Sequence, residues 1–385
     1  MIAGNRVTVF ATGSRRHGTG SVSSNEHRWR QNILYASMIG IALLFLIPKN
    51  TLAIDGPAIV KSNCISCHNI NGPAPATFEG LLNRKAPDLF YAGSKFNRSW
   101  LIDWLQNPTP VRYSDNLFLN HLVVQDGQDK LAVDAIKPHP RLEPKVAESV
   151  ANYLMTLIDK QMKKGVVDRD KRLIKNKAMT LFRKRLPCIG CHRITWGKKT
   201  IGGISGSDLT EAGQRLNPDW VYSMIENPQY WDPKIAMPKI AMSHKKRETL
   251  TLLIASLKKP GERKNKGISH STMVPAMESE TGPPGMREHP ADENYRLYCV
   301  QCHGSQGNGR GVNRTGGGLT VSPINHSLSK EMSKLSDENL RLGISEGGDA
   351  VQSSGLMPPW SSTLSKKAIQ DLVYYLRLLC QCKGP

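Results

Sequence analysis

Six cysteines and three histidines of this 385-residue chain fall into one repeated arrangement. Cys64, Cys67 and His68 form a first Cys-x-x-Cys-His unit, Cys188, Cys191 and His192 a second, and Cys299, Cys302 and His303 a third. Two thiols three residues apart reach the two vinyl-derived carbons of one porphyrin. The adjacent imidazole is then held beneath the ring, where one of its nitrogens can bind iron. The spacing reads as covalent haem attachment, three times over. Zinc fits less well, because a structural zinc takes about four ligands and each unit supplies only two cysteines. A redox dithiol of thioredoxin type would not require the histidine in every copy. The remaining cysteines, Cys380 and Cys382, have no histidine after them. They are not a fourth site; they pair with each other, bond another chain or stay free.

The elements that position these motifs repeat as well. Each motif follows a short helix-like stretch: Pro57 to Asn63, Ala178 to Pro187 and Glu293 to Tyr298. Beyond the cysteines the first two units match at a fixed offset of 120 residues: Asp88-Leu89 with Asp208-Leu209, Gly93 with Gly213, Asn97 with Asn217, Trp100 with Trp220, and Asn107-Pro108 with Asn227-Pro228. That is a duplication. Trp100 to Gln106 and Trp220 to Glu226 read as amphipathic helices stopped by Asn-Pro, since the residue before proline is pushed out of the helical region. Each unit closes on an apolar-periodic helix: Val146 to Leu157, Glu248 to Leu257 and Lys367 to Leu379. Period-two alternation is weak throughout, so the fold class is mostly α: three small helical domains in tandem.

The boundaries follow: a basic N-terminal region over 1–53, domains over 54–160, 178–258 and 291–385, a charged linker over 161–177 that is a surface helix or a tether, and a Pro-, Gly- and Lys-rich linker over 259–290. Residues 33–47 carry no charge and follow Arg6, Arg15, Arg16, Arg28 and Arg30, the pattern of an export signal. Either it is cut near Ala53 or it stays as a single anchor; it is short for a spanning helix. Both readings send the rest of the chain across the membrane, to the periplasmic side of a bacterial inner membrane.

At 39% hydrophobic and 6% aromatic residues, the chain is thin for one large core and suits small domains filled by something other than side chains. The formal charge of +20, from 52 Lys and Arg against 32 Asp and Glu, points to acidic partners or anionic lipid. No zinc-finger spacing or RNA-binding aromatic signature supports nucleic acid.

Over nearly everything from Asp55 to Leu379, the chain resembles tandem class I c-type cytochrome domains. In that family a methionine, commonly followed by proline, supplies the second axial ligand ahead of the C-terminal helix. The resemblance implies His303 with Met357, in Met357-Pro358, for the third haem, and His192 with Met237, in Met237-Pro238, for the second, with Met242 as runner-up. Gly307, Gly309 and Gly311 match the glycine-rich loop that often follows the attachment site. The first unit departs from the pattern. His139, before Pro140, stands where the methionine is expected, which implies a bis-histidine haem with His68. His121 competes for that place, in the segment 115–134 that the second unit lacks, and an open iron is the third alternative.

Three c-type haems imply single-electron transfer, as a carrier or as a subunit of a membrane respiratory complex, with redox proteins as partners and no catalytic residues of its own. Met/His ligation raises the potential, so the first haem should be the lowest, with electrons entering there. A different class, a multihaem peroxidase or oxidoreductase, needs an open iron that only the first site could supply. A third, a docking module, would work through the basic linkers.

Overall fold

The computed structural model describes residues 54–114, 117–258 and 291–385. The apolar segment 33–47, the cleavage position near Ala53 and the linker 259–290 lie outside the described residues. Among those described, no helix is long and apolar enough to cross a membrane.

The fold is mostly helical, with two small hairpins. Three clusters of buried residues lie in chain order. The first gathers Val60, Leu101, Leu105, Val150 and Leu154. The second gathers Phe182, Ile194, Trp220, Leu250 and Leu253. The third gathers Tyr295, Leu297, Met332, Leu372 and Leu376. One construction recurs at each. A short helix (Gly56–Ile59, Lys175–Thr180, Asp292–Asn294) runs into a single wide π turn (Val60–Cys64, Leu181–Arg185, Tyr295–Cys299). It packs on the closing helix of the same unit (Pro144–Leu154, His244–Ala255, Lys366–Cys380). Such π turns concentrate at functional sites. Here each leads into an attachment motif. The closing helices start where the sequence provides a cap or a proline: Ser243 accepts from the Lys246 N–H, Ser365 accepts from the Ala368 N–H, and Pro144 opens the first.

The duplication is visible as an internal two-fold contact. Phe96 and Leu216, 120 residues apart, pair as an antiparallel bridge. The Asn97 N–H donates to the Arg215 carbonyl at 2.9 Å, and the Asn217 N–H donates to the Lys95 carbonyl at 2.9 Å. Residue i meets j′ while i′ meets j, the signature of an isologous interface. Gly93 and Gly213 hold equivalent places: a Cβ on either would overlap a carbonyl of its own closing helix, Met155 or Ala255. Arg84 adds a buried ionic tie between the two cores, reaching Asp88 at 2.9 Å and Asp232 at 2.8 Å.

One expectation needs correction. Segment 161–177 is neither surface helix nor tether. Helix begins only at Lys175, and the rest straps the second core. Met162 and Val167 are buried, the Gly165 and Val166 N–H groups donate to Asp219, and Lys171 pairs with Glu248. Apolar residues spaced along a highly charged stretch did that work. The segment peculiar to the first unit forms a hairpin, Leu122–Gln125 with Gln128–Leu131. Its turn is Asp126-Gly127, both at positive φ, the pairing that favours a two-residue hairpin loop. The hairpin docks on the third unit. Asp129 accepts from the Ser305 N–H and Oγ, both at 2.7 Å, and Phe118 and Leu122 join the third core.

Removing the guanidinium in Arg84→Ala leaves two buried carboxylates facing each other. Stability should fall by about 3–5 kcal/mol in denaturant unfolding; a loss under about 1 kcal/mol, the range of an exposed pair, would show that the tie contributes little. Burial pushes the Asp129 carboxyl up to about 6, against the opposing pull of the Ser305 hydrogen bonds. A carboxyl with a folded value above its unfolded one, about 3.9, holds its proton more tightly when folded. Its stabilising effect is complete at low pH and is lost as pH rises through the folded value, so the unfolding temperature should decline from about pH 4 to about pH 6 and then level. Asp129→Asn should flatten this slope, and an unchanged slope would assign it to another group.

Candidate functional site

The three motif histidines are held in the same way. His68 Nδ1 lies 2.7 Å from the Pro87 carbonyl, His192 Nδ1 2.9 Å from the Ser207 carbonyl, and His303 Nδ1 3.0 Å from the Ile324 carbonyl. A carbonyl only accepts, so Nδ1 carries the proton and Nε2 keeps its lone pair. Pro87 and Ser207 stand at the offset of 120, each just before the Asp-Leu pair of its unit. Burial lowers all three imidazoles below their ordinary range, which keeps them neutral. Each is thus oriented as a metal-binding histidine is, with the far nitrogen fixed by a backbone acceptor.

The first thiol of each pair lacks the shift of a redox nucleophile. Burial raises the first cysteine of each pair, and Cys188 and Cys299 reach about 12. A nucleophilic thiol needs the opposite shift. Among the described residues, no group of three or more His, Cys, Asp or Glu could hold a metal ion. Cys380 and Cys382 pair with each other in a disulfide.

The structure brings His139 to His68: the ring centroids are 6.1 Å apart. Two imidazole nitrogens about 2.0 Å from one metal put their ring centres about 6 Å apart. His139 Nδ1 lies 2.8 Å from the Pro140 carbonyl, so its Nε2 is also free, and Trp104 packs on the ring at 4.7 Å. His121 sits instead at the foot of the hairpin, where its carbonyl accepts from the Ala132 N–H. Met237 and Met242 both border the second core, just ahead of its closing helix; the Met237 carbonyl is fixed by Gln229 Nε2 at 2.9 Å. Met357 borders the third core, its carbonyl fixed by the Gly348 N–H at 3.1 Å.

Exposure separates the first site from the others. Cys67 is exposed, and Ile65 between the two cysteines is 48% exposed. Beside them opens a cleft of about 640 Å³ lined by Lys61, Ile65, His68 and Tyr153. At the second and third sites Ile189, Val300 and Gln301, the residues between the cysteines, are buried.

Several residues escaped the sequence. His326 stacks on His303 at 4.0 Å and 15°, with Nδ1 3.0 Å from the Tyr295 hydroxyl. Face to face, it backs the His303 ring. Lys95 lies 5.1 Å from the Trp220 ring and 5.0 Å from Phe96. Burial and the guanidiniums of Arg112, Arg215 and Arg84 push this ammonium down to about 7, and Arg215, buried against the Asp208 carbonyl, falls to about 10. None of these has a motif; each depends on residues far apart in sequence.

Residues 288–376 match the family described as Cytochrome C oxidase, cbb3-type, subunit III. This stretch is a c-type cytochrome domain. It covers the third motif, His303 and Met357, and it implies haem c and a role in electron transfer. The match does not extend to the first two units. No curated protein and no solved structure matches the chain.

Proposed function

We propose that the chain is a tri-haem c-type cytochrome carrying single electrons on the periplasmic side of a bacterial membrane, as a carrier or as a subunit of a respiratory complex. The observation that supports this most is the repetition of one site three times: paired cysteines after a π turn, then a histidine whose Nδ1 is fixed on a backbone carbonyl and whose Nε2 is free. The third copy lies in the recognised cytochrome domain, and the first two are built alike.

The residues suit the group. Cys64 and Cys67, Cys188 and Cys191, and Cys299 and Cys302 would form the thioethers. His68 with His139, His192 with Met237, and His303 with Met357 would be the axial ligands. Beside the second site Lys95 and Arg215 gather with the buried Trp220 indole N–H, which has no acceptor within the described residues. These are donors that the two carboxylates of a haem would satisfy. Bound haem supplies a reversible one-electron couple, and the chain sets its potential through ligand type and burial.

The first site, open to solvent beside Lys61 and Ile65, would exchange electrons with partners, and the overall positive charge favours acidic ones. The second and third would serve internal transfer. His139 so close to His68 leaves no open position for a substrate, which favours a carrier over a peroxidase.

Carbon monoxide binding to the ferrous holoprotein tests the assignment. The parent protein and His121→Ala should bind none rapidly, whereas His139→Ala should gain one rapid site per chain. Rapid binding by the parent would favour the enzyme, and an opened site in His121→Ala alone would transfer the ligand role to His121.

A further inference from the structure

The second and third attachment loops meet each other. Asn313, fully buried, sits between them. Its Oδ1 accepts from the Ile204 N–H at 2.9 Å and from the Ser205 N–H at 3.0 Å, in the loop that follows the second motif. Its Nδ2 donates to Ser205 Oγ at 3.0 Å and points at two sulfurs, Cys302 at 3.5 Å and Cys191 at 3.9 Å. One amide therefore touches a thiol of each motif. Gln301, between the cysteines of the third motif, reaches back to the second: its Oε1 accepts from Ser205 Oγ at 2.6 Å and lies 3.5 Å from Cys191 Sγ, while its Nε2 donates to the Tyr298 carbonyl at 3.1 Å.

A buried amide with all its hydrogen-bonding positions engaged fixes its surroundings in one arrangement, because every alternative leaves polar groups unpaired. Leu alone at this position would fill the volume and satisfy none of these groups. The arrangement has no counterpart at the first motif, whose second cysteine is exposed.

We infer that Asn313 is a shared positioning residue that holds the thioether edges of the second and third haems side by side, making them a coupled pair distinct from the first. This rests on the tri-haem reading. The pair is bound through neighbouring cysteines, Cys191 of one and Cys302 of the other, and the Asn313 Nδ2–H not taken by Ser205 Oγ faces the two sulfurs. A donor there stabilises the added electron on either haem, so its removal lowers both potentials.

The test uses the full-length holoprotein with its bound haem counted. Neighbouring haems should give a bisignate Soret circular dichroism couplet in the parent protein. Asn313→Asp keeps the acceptor for the Ile204 and Ser205 N–H groups and loses the donor. It should lower two of three midpoints together, leave the third unchanged and still carry three haems. Asn313→Leu should weaken the couplet. Three haems without a couplet, or a variant in which at most one midpoint moves, would overturn the shared role while leaving the tri-haem reading intact. Fewer than three haems in the parent protein would overturn both.

Discussion

The carbonyls of Pro87, Ser207 and Ile324 each take the Nδ1 proton of a motif histidine, and the rest of each site is arranged to keep that bond in place. It selects the tautomer, leaves the Nε2 lone pair available and sets the ring plane. Keeping a backbone carbonyl at hydrogen-bond distance from a side chain 15–21 residues away requires both segments to be anchored. The anchor on one side is the π turn packed on the closing helix. On the other side, in the first two units, it is the loop gripped at Gly93 or Gly213, where the closing helix approaches too near for any side chain. The apolar cores are small because they need only hold this frame.

Contacts between units extend the same logic. The first two are joined by the reciprocal Asn97–Arg215 and Asn217–Lys95 backbone bonds and by Arg84. The second and third meet at Asn313 and Gln301. The first and third are linked by the Asp129 hairpin. Each of these ties is a hydrogen bond or an ion pair, and Asp129, Asn313 and Gln301 are buried with their partners in place.

Much of this was legible in the sequence, for identifiable reasons. The attachment motifs are local, so spacing alone reveals them. The offset of 120 residues appears in residues that hold equivalent places, such as Gly93 and Gly213. The closing helices were readable from their apolar period. The Asp126-Gly127 turn was a readable hairpin signal, masked by short strands of mixed polarity. The strap of 161–177 was hidden by its charge, and the π turns have no sequence signature. Asn313 and Lys95 acquire their roles from contacts across units, and His326 from stacking on His303 within its own; no local pattern carries that information.

The account stands most directly on how many haems the mature chain holds. Intact-mass measurement of protein made in a host that attaches haem, together with the haemochrome absorbance per chain, gives that number. The account predicts three, all covalent and none removed by acid and organic solvent. A single haem, carried by the third unit alone, would contradict it.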